Sequence, residues 1–596
     1  MSVKNEYPRP QFKREQWLNL NGEWRFAFDD GDRGIREAWY NGENDFEQKI
    51  CVPFVYQSKA SRIGDLTPHD IVWYQRYFDV SVGERQQAIL HFGAVDYIAD
   101  IYVNGQHVKH HIGGHTPFQI NITPYLQTEG RQQVTVRAYD PHEDETIPRG
   151  KQFWEAESRS IWYTNSTGIW QTVWLEVVAD RYLEQVRMTP LFDEGRVRIE
   201  ALLNGSNDGM QLGYAIRMKE VLIAQGSLTF TSNCLDFDVE LIQKHIFRTN
   251  YHDSGYSWTP ETPNLFEVSF QVIAAGGELL DKVESYFGFR KVHTEHGMVY
   301  LNNKPYYQKL ILDQGYWPEG LMTAADDEAL KRDIILAKEM GFNGCRKHQK
   351  TEDPRFLYWA DRLGYLVWGE CAATVIYTNE SVKRLMNEWT EIVERDYNHP
   401  CIITWVPLNE SWGVPDIHQN RQQQHFSQTM YHFLHALDTT RLVISNDGWD
   451  MTETDICAIH NYSHGEKEEP EKYQRFKTSL ATSAEILKPF QTRRSAYAAG
   501  FSHQGEPFLL TEFGGIGFAA SRESGWGYTS AATEAEFVEE YKRVLEAVFA
   551  SEILGGFCYT QLCDVEQEIN GLLTYRREPK CDPRKIREIN SRFSCF

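Results

Sequence analysis

The chain has 596 residues, and its 61 lysines and arginines are outnumbered by 84 aspartates and glutamates, which gives a net charge of -23. This acidic balance argues against nucleic acid and anionic membrane surfaces as partners, because both repel negative charge. The chain starts in polar sequence and contains no apolar run of membrane-spanning length, so we expect neither a signal peptide nor a membrane span. Ten scattered cysteines without metal-type spacing predict reduced thiols in a cytoplasmic protein.

Residues 1–180 are predicted to be β structure. Residues 17–28 alternate around an Asn21-Gly22 turn, residues 73–78 form an aromatic strand, and residues 100–108 form a hairpin with Asn104-Gly105 at its turn. Short strands at this spacing predict a β-sandwich of the jelly-roll type. Strand-like segments continue through residues 181–292, a length that suits an immunoglobulin-like β-sandwich.

From residue 293 to residue 596, strands and helices alternate. Eight apolar segments are predicted strands: 307–312, 342–346, 366–369, 402–408, 442–445, 456–459, 508–510 and 556–560. Most are separated by predicted helices: 326–340, 353–363, 382–397, 418–437 and 534–549. Eight β/α units in about 300 residues predict a (β/α)₈ TIM barrel.

Polar side chains follow each predicted barrel strand. Because the carboxyl ends of barrel strands share one face, these side chains should surround one mouth. They are Asp313, Arg346, His348, Glu370, Asn409, Glu410, Asp447, His460, Tyr462, Glu512 and Asp564. The sequence contains no His-Glu-x-x-His pattern and no dinucleotide glycine motif, so we expect neither a metal nor another cofactor.

Glu410 and Glu512 follow strands four and seven, on roughly opposite sides of the predicted mouth, so their carboxylates can face each other. Hydrolysis of a glycosidic bond needs such a pair: one carboxylic acid protonates the leaving oxygen, and the other carboxylate attacks or activates water. The distance between them decides between retention and inversion, and the sequence leaves both open. A competing interpretation makes Asn409 or Ser411 the cap of a helix, with Glu410 in its first turn.

Several motifs in order along nearly the whole chain resemble those of glycoside hydrolase family 2, which includes β-galactosidases, β-glucuronidases and β-mannosidases. The motifs occupy residues 20–24, 103–105, 168–175, 258–266, 287–290, 341–348, 398–410 and 511–514. The resemblance implies a retaining exo-glycosidase with Glu410 as general acid/base and Glu512 as nucleophile. It also implies further substrate-binding residues around the innermost sugar: Arg346, His348, Asn409 (at the 2-hydroxyl), His460 and Tyr462. Two tryptophans, Trp412 and Trp162, are additional candidate substrate-binding residues.

Two departures from the family pattern bear on the sugar. β-Glucuronidases carry Asn-x-Lys near the end of the barrel to hold the sugar carboxylate, whereas residues 566–572 here contain Glu566 and Glu568 and no lysine. β-Galactosidases and β-glucuronidases also place a first-domain aspartate where this chain has Trp162. We hypothesise that Asp313, after strand one, supplies the missing polar contact with the sugar.

These departures leave several functions open. The specificity could be that of a β-galactosidase, a β-glucuronidase, or a pentosidase or furanosidase. Outside the enzyme class, the alternative is a non-catalytic carbohydrate-binding protein. The expected partner is a carbohydrate in every case, and a homo-oligomer is compatible with the sequence.

Overall fold

The computed structural model describes residues 3–42, 46–207, 209–241, 255–489, 494–520 and 525–592. Among the helices in these ranges, none is long and apolar enough to cross a membrane. The described residues of the β-rich half of the chain include four short 3₁₀ helices: Trp39–Asn41, Lys59–Ser61, Thr123–Tyr125 and Phe192–Glu194.

The first domain is a sandwich of two antiparallel sheets. Its strands are β1 (Trp17–Asn19), β2 (Gly22–Phe28), β3 (Gln48–Val52), β4 (Ile71–Phe78), β5 (Gln86–Phe92), β6 (Val95–Asp96), β7 (Ile98–Val103), β8 (Gln106–Ile112), β9 (Phe118–Asn121), β10 (Gln132–Tyr139), β11 (Gly168–Ile169) and β12 (Val173–Ala179). One sheet is ordered β1-β12-β5-β9 and the other β3-β2-β4-β10-β7-β8, while β6 and β11 pair separately. Asn104 and Gly105 adopt φ values of 50° and 79°, as a tight hairpin turn between β7 and β8 requires. The predicted jelly-roll sandwich is confirmed.

The second domain is a smaller sandwich. Its strands are β13 (Leu183–Leu191), β14 (Arg196–Leu203), β15 (Gln211–Met218), β16 (Val221–Thr229), β17 (Cys234–Glu240), β18 (Phe266–Ile273) and β19 (Leu279–Phe287). Sheet β13-β14-β17 packs on sheet β16-β15-β18-β19 around one apolar core, so the immunoglobulin-like prediction is confirmed. A small sheet then leads to the third domain through β20 (Val292–Glu295), β21 (Met298–Leu301) and β22 (Lys304–Pro305). The predicted domain boundaries at 180/181 and 292/293 stay predictions.

The third domain contains the predicted barrel. Its eight parallel strands are β23 (Gln308–Asp313), β24 (Gly344–Lys347), β25 (Leu366–Glu370), β26 (Ile402–Val406), β27 (Leu442–Val443), β28 (Cys457–His460), β29 (Phe508–Glu512) and β32 (Leu554–Tyr559), with the short β30 (Ile516–Gly517) and β31 (Thr529–Ser530) between the last two. The sheet order β27-β26-β25-β24-β23-β32-β29-β28 is the circular order of a (β/α)₈ barrel. All eight predicted strands are therefore confirmed.

Within the described part of the barrel, eight helices accompany these strands. They are α1 (Asp327–Glu339), α2 (Pro354–Leu363), α3 (Asn379–Asp396), α4 (Arg421–Leu437), α5 (Pro470–Ser479), α6 (Ser483–Ile486), α7 (Glu534–Phe549) and α8 (Pro583–Asn590). Two helices begin three residues away from their predicted starts, because polar caps decide where each helix starts. Helix α3 begins three residues early, where Thr378 and Ser381 form a reciprocal capping box. Helix α4 begins three residues late, after Asn420 accepts hydrogen bonds from two backbone N–H groups.

The segment just before strand β26 joins the barrel to the second domain. The Asn398 side chain donates to the backbone oxygen of Val186 (2.8 Å) and accepts from the backbone N–H of Met188 (2.8 Å). His399 and the hydroxyl of Tyr286 both contact Asp361, at 2.6 and 2.8 Å. The base of strand β26 is therefore held by side chains from both domains.

Arg290, at the exit of the second domain, is buried beneath the barrel. Its guanidinium donates to three carbonyl oxygens at the barrel base: Pro400 (3.0 Å), Thr440 (2.7 Å) and Ile402 (2.7 Å). Carbonyls at this depth are costly to leave without a donor, so one side chain satisfies a large part of the interface.

Replacing Arg290 with Met should destabilise the protein by about 3 kcal/mol, because the carbonyls of Pro400 and Thr440 lose this donor. The Ile402 carbonyl keeps its hydrogen bond from Arg441 (3.1 Å). Calorimetric melting of the full chain measures the effect. The matched control is Arg36→Met, whose side chain is 76% exposed and should not change the melting temperature. Equal melting temperatures for Arg290→Met and the wild type would contradict this account of the interface.

Candidate active site

Arg346 occupies the centre of the barrel mouth, and its side chain is fully buried. It leaves the end of strand β24 and contacts polar groups from four other strand ends: Glu370, Asn409 (2.6 Å), Asp447 (2.9 Å) and Glu512 (2.9 Å). Three of these partners are carboxylates, and their charges raise the pKa of Arg346 further, against the effect of burial. One guanidinium thus orders the side chains of strands β24, β25, β26 and β29 and of the loop after β27.

Glu512 ends strand β29 and is almost entirely buried. Burial alone would raise the pKa of Glu512, but the positive charges of His460 and Arg346 outweigh it and lower that pKa to about 2. Its second carboxylate oxygen accepts a hydrogen bond from the Tyr462 hydroxyl at 2.8 Å. Glu512 is therefore a carboxylate at neutral pH, held in one orientation from both sides.

Glu410 lies in a sharp turn after strand β26. Glu410 and Ser411 both adopt left-handed φ values, 52° and 63°, which L-residues adopt only when their surroundings hold them there. The loop after strand β27 does so: the backbone oxygen of Asp447 accepts from Glu410 N (2.9 Å), and the Asn446 side chain accepts from Ser411 N (3.0 Å). The competing interpretation of a helix start here is wrong, since helix α4 begins only at Arg421.

The structure brings the two predicted carboxylates together. Glu410 and Glu512 each have a carboxylate oxygen within 4.8 Å of the other and of a ring nitrogen of His460. The His460 Nδ1 lies 2.8 Å from Glu410 and 3.5 Å from Glu512. The Glu410 side chain is 22% exposed and that of Glu512 is 7% exposed, so Glu410 faces the open side of the mouth.

His460 connects the pair to a third carboxylate. Burial alone would lower the pKa of His460, but the charges of Glu512 and Asp447 raise it to about 10. Its Nε2 lies 3.3 Å from Asp447, whose pKa is lowered in turn, against burial, by Arg346 and His460. A protonated imidazole offers no lone pair to a metal, so the cluster Glu410–His460–Glu512 is better suited to proton chemistry than to holding a cation.

The other residues predicted to bind substrate lie at different depths around this pair. His348 contacts Glu370 at 3.0 Å and lies 4.0 Å from Glu512, beneath the pair. Tyr462 stacks on Tyr528, with ring centroids 3.6 Å apart. Arg346, His348, Asn409, His460 and Tyr462 therefore share one cluster with the two carboxylates.

Trp412 and Trp162 form part of the rim of the mouth. Their rings stack with centroids 4.9 Å apart, and Trp154 packs edge-on against Trp162 at 5.4 Å. The first domain thus reaches the mouth at the position where the family pattern has an aspartate. It also contacts the loop after strand β32, where Tyr163 donates to Glu568 (2.6 Å) and Gln567 donates to the backbone oxygen of Trp162 (2.9 Å).

Asp313 is not brought to the carboxylate pair. Its two oxygens are taken by the Lys347 ammonium (2.9 Å) and the backbone N–H of Gly315 (2.9 Å). Lys347 also binds Glu352 at 2.8 Å, so Asp313 belongs to a buried ion network beside strand β24. The hypothesis that Asp313 contacts the sugar finds no support in these contacts.

Sequence reasoning did not single out three residues that the structure places in or beside the site. Glu370 and Asp447 were visible as polar strand ends, and both contact Arg346. Burial raises the pKa of Glu370 to about 7 against the opposing charge of Arg346. Lys151 lies in a first-domain loop with its ammonium 5.2 Å from the centre of the Trp412 ring, and the aromatic residues that follow it in the sequence were the signal that could have indicated it.

Comparison with family models agrees with this architecture. Residues 18–175 match the sugar binding domain of glycosyl hydrolases family 2, residues 182–290 match its central domain model, and residues 292–594 match its TIM barrel domain. The chain belongs to glycoside hydrolase family 2. The family predicted from the sequence motifs, and with it membership of the glycoside hydrolases, is confirmed.

Individual relatives of this family 2 chain include enzymes with different names. It is 29% identical over 456 residues to the putative beta-glucuronidase of Formosa agariphila, covering 73% of this chain and 51% of that protein. It is 28% identical over 430 residues to the beta-galactosidase of Thermoanaerobacter pseudethanolicus, covering 71% of this chain and 54% of that protein. The chain thus spans about half the length of these curated relatives.

The fold is shared with a solved family 2 structure. The Bifidobacterium dentium beta-glucuronidase complexed with coumarin-3-O-glucuronide superposes with a TM-score of 0.79, covering 99% of this chain and 100% of that one at 18% identity. At this identity the likeness shows the fold alone.

The raised pKa of His460 can be tested directly. Its charged form stabilises the fold fully below the ordinary pKa of 6.5, and that stabilisation is lost as the pH rises through about 10. In Glu512→Gln the midpoint should move down towards 6.5, because the largest charge that raises it is gone. A ¹⁵N NMR titration of histidine-labelled protein measures the midpoint, and the signal is assigned by its loss in His460→Asn.

The control for this titration is Glu552→Gln, an exposed carboxylate that should leave the His460 midpoint near 10. An identical midpoint in wild type and Glu512→Gln would show that Glu512 does not hold the charge on His460.

Proposed function

We propose that the protein is a retaining exo-glycosidase that removes terminal non-reducing sugar residues from oligosaccharides or glycosides. In this proposal Glu512 is the nucleophile and Glu410 is the general acid/base. The observation that carries it is the approach of two carboxylate oxygens within 4.8 Å of each other. Retaining glycosidases have carboxyl groups about 5–5.5 Å apart, whereas inverting enzymes keep about 6.5–9.5 Å for a water molecule.

The first step uses the difference between the two carboxyl groups. Glu512 is held as a carboxylate by Arg346 and His460, so it can attack the anomeric carbon without first losing a proton. Glu410, on the more open side of the mouth, donates its proton to the departing glycosidic oxygen. The sugar is then esterified to Glu512, and the leaving alcohol diffuses away.

The second step reverses these roles. Glu410, now a carboxylate, takes a proton from a water molecule, which attacks the anomeric carbon and releases Glu512. Two inversions give overall retention of configuration. Esterification of Glu512 also removes the largest charge that raises the pKa of His460, so the proton affinity of the site changes during the cycle.

Fixed contacts around the pair support the binding of one sugar ring. The amide oxygen of Asn409 accepts from Arg346, which leaves its nitrogen to donate to a hydroxyl group of the sugar. On the far side, the first-domain loop meets the loop after strand β32, where Ser158 donates to Gln567 at 2.9 Å. Because these two loops meet on one side of the mouth, the site should bind the end of a sugar chain better than the middle of a polysaccharide.

We also propose a cytoplasmic location. The nine cysteines within the described ranges are all free, and most are buried. Free thiols are typical of a reducing compartment. Cys595 lies outside the described residues.

A β-galactosidase is the second candidate, because a relative of that name covers most of the chain. Trp162 weakens it, since an indole cannot accept the hydrogen bond that a carboxylate would. Against a β-glucuronidase, residues 566–572 contain Glu566 and Glu568 and lack the lysine expected in that region. Aryl glycosides of hexoses, pentoses and uronic acids separate these specificities by the ratio of their kcat/KM values.

Replacing either carboxylate should abolish most turnover. Glu512→Gln removes the nucleophile and should lower kcat by at least about 10⁴-fold on every substrate. Glu410→Gln removes the acid and should lower kcat by about 10²–10⁴-fold, less for leaving groups that need no protonation. Hydrolysis of the aryl glycosides measures both, with Glu552→Gln as the matched control that keeps full activity.

The stereochemistry provides an independent check. Proton NMR of the first sugar released should show the same anomer as the substrate. Release of the opposite anomer would overturn the double displacement, and carbohydrate binding without turnover by the wild type would favour a non-catalytic protein.

A further inference from the structure

Five lysines of the described chain are more than nine-tenths buried. Four of them have a carboxylate partner: Lys4 with Asp353 (3.0 Å), Lys347 with Asp313 (2.9 Å), Lys350 with Glu352 (3.0 Å) and Lys580 with Asp564 (2.6 Å). Lys151 is the exception: it is 8% exposed, yet no carboxylate oxygen of the described residues lies within 4.0 Å of its ammonium. Its side chain is buried while its ammonium has no carboxylate partner among the described residues, so the ammonium is available to a ligand.

The position of Lys151 is fixed by the barrel as well as by its own domain. The backbone N–H groups of Arg149 and Gly150 donate to the backbone oxygen of Ala373, at 3.1 and 3.0 Å. Gly150 has a φ of 58°, and a Cβ there would lie 2.4 Å from the backbone oxygen of Gln349. Close approach to the barrel therefore requires glycine beside Lys151 and leaves the loop little freedom.

The Lys151 ammonium lies beside Trp412, which follows Glu410 by two residues. It is 5.2 Å from the centre of the Trp412 ring, which is a favourable cation–π contact. Its charge also reaches Glu512, where it adds to the stronger effects of His460, Arg346 and His348. Lys151 is thus a first-domain side chain whose charge acts on Glu512.

Glu568 is the acidic group on the same side of the mouth. It is buried, and it accepts hydrogen bonds from the Tyr163 hydroxyl (2.6 Å) and the Asn570 amide (3.1 Å). Burial raises the pKa of Glu568, and among the charges that oppose this the largest is Lys151. The two groups therefore interact as charges, and no ion pair within 4.0 Å joins them in the described part of the chain.

We propose that Lys151 and Glu568 together bind one hydroxyl group of a neutral terminal sugar, with Lys151 donating to the hydroxyl oxygen and Glu568 accepting its proton. A hydroxyl is the sugar substituent that can both accept and donate, so it satisfies both groups at once. A sugar carboxylate could pair with Lys151 but would be repelled by Glu568 and by the catalytic pair. Lys151 is thus a specificity-determining residue, and its role rests on the glycosidase function proposed above.

The test compares the wild type with Lys151→Met and Glu568→Gln on the best neutral aryl glycoside, its monodeoxy analogues and the matching uronide. Each variant should lower kcat/KM about 10- to 100-fold, the range for hydrogen bonds to charged groups. For the wild type, kcat/KM should fall by a similar factor on the one monodeoxy analogue that lacks the bound hydroxyl. For the two variants, kcat/KM on that analogue should be little lower than on the parent glycoside. Lys59→Met, an exposed first-domain lysine, should match the wild type.

Several outcomes would overturn the proposal. One is a Lys151→Met or Glu568→Gln variant as active as the wild type; another is a variant that keeps the wild-type response to every monodeoxy analogue. A third is a wild type that prefers the uronide and loses that preference in Lys151→Met, which would make Lys151 a carboxylate-binding residue. If circular dichroism shows that Lys151→Met does not fold, the proposal is tested by Glu568→Gln and by the monodeoxy analogues.

Different results would refute the proposed glycosidase function and the proposed role of Lys151. A wild type that cleaves no glycoside would remove both proposals together. A wild type that is active, with Glu512→Gln inactive and Lys151→Met unaffected, would remove only the role of Lys151.

Discussion

The active site depends on one buried guanidinium. Arg346 contacts Glu370, Asn409, Asp447 and Glu512, so the ends of several strands meet around a single planar group. Three carboxylates at this depth would repel one another and take up protons if the cation were absent. With it in place, Glu512 and Asp447 stay ionised, and their negative charges in turn keep His460 protonated. The chemistry proposed for Glu410 and Glu512 therefore depends on Arg346, which balances the negative charge at the mouth of the barrel.

The barrel and most of its polar strand ends could be predicted from the sequence, because each is marked by a short local pattern of residues. A barrel strand buried on both faces is a short apolar run, and the residue that follows it must face the mouth. Glu410 and Glu512 are recognisable for that reason, and so are Arg346 and His460. The position of each strand along the chain then fixes its position around the barrel, since βα units follow one another in circular order.

The positions of Asp313 and Lys151 relative to the site could not be predicted, because they depend on partners that are distant in the sequence. Asp313 follows a barrel strand like the catalytic residues, but Lys347 takes its carboxylate and removes it from the sugar site. Lys151 is followed by aromatic residues in the sequence, but its place at the mouth follows from the docking of the first domain on Ala373. The start of helix α3 was misplaced for a simpler reason: a Thr-Ser capping box outweighed the apolar pattern.

The contacts of Arg290 also have a consequence for the modularity of the chain. Its guanidinium ends at the carbonyls of Pro400 and Ile402, next to the segment in which Asn398 binds the second domain. A Cβ on Gly288 would lie 2.5 Å from the Pro400 ring. The second-domain surface at Gly288 therefore fits the barrel surface at Pro400 only with glycine at this position. The sandwich and the barrel are therefore not interchangeable parts. A chimaera with a related enzyme would have to exchange residues 288–290 and 398–402 together.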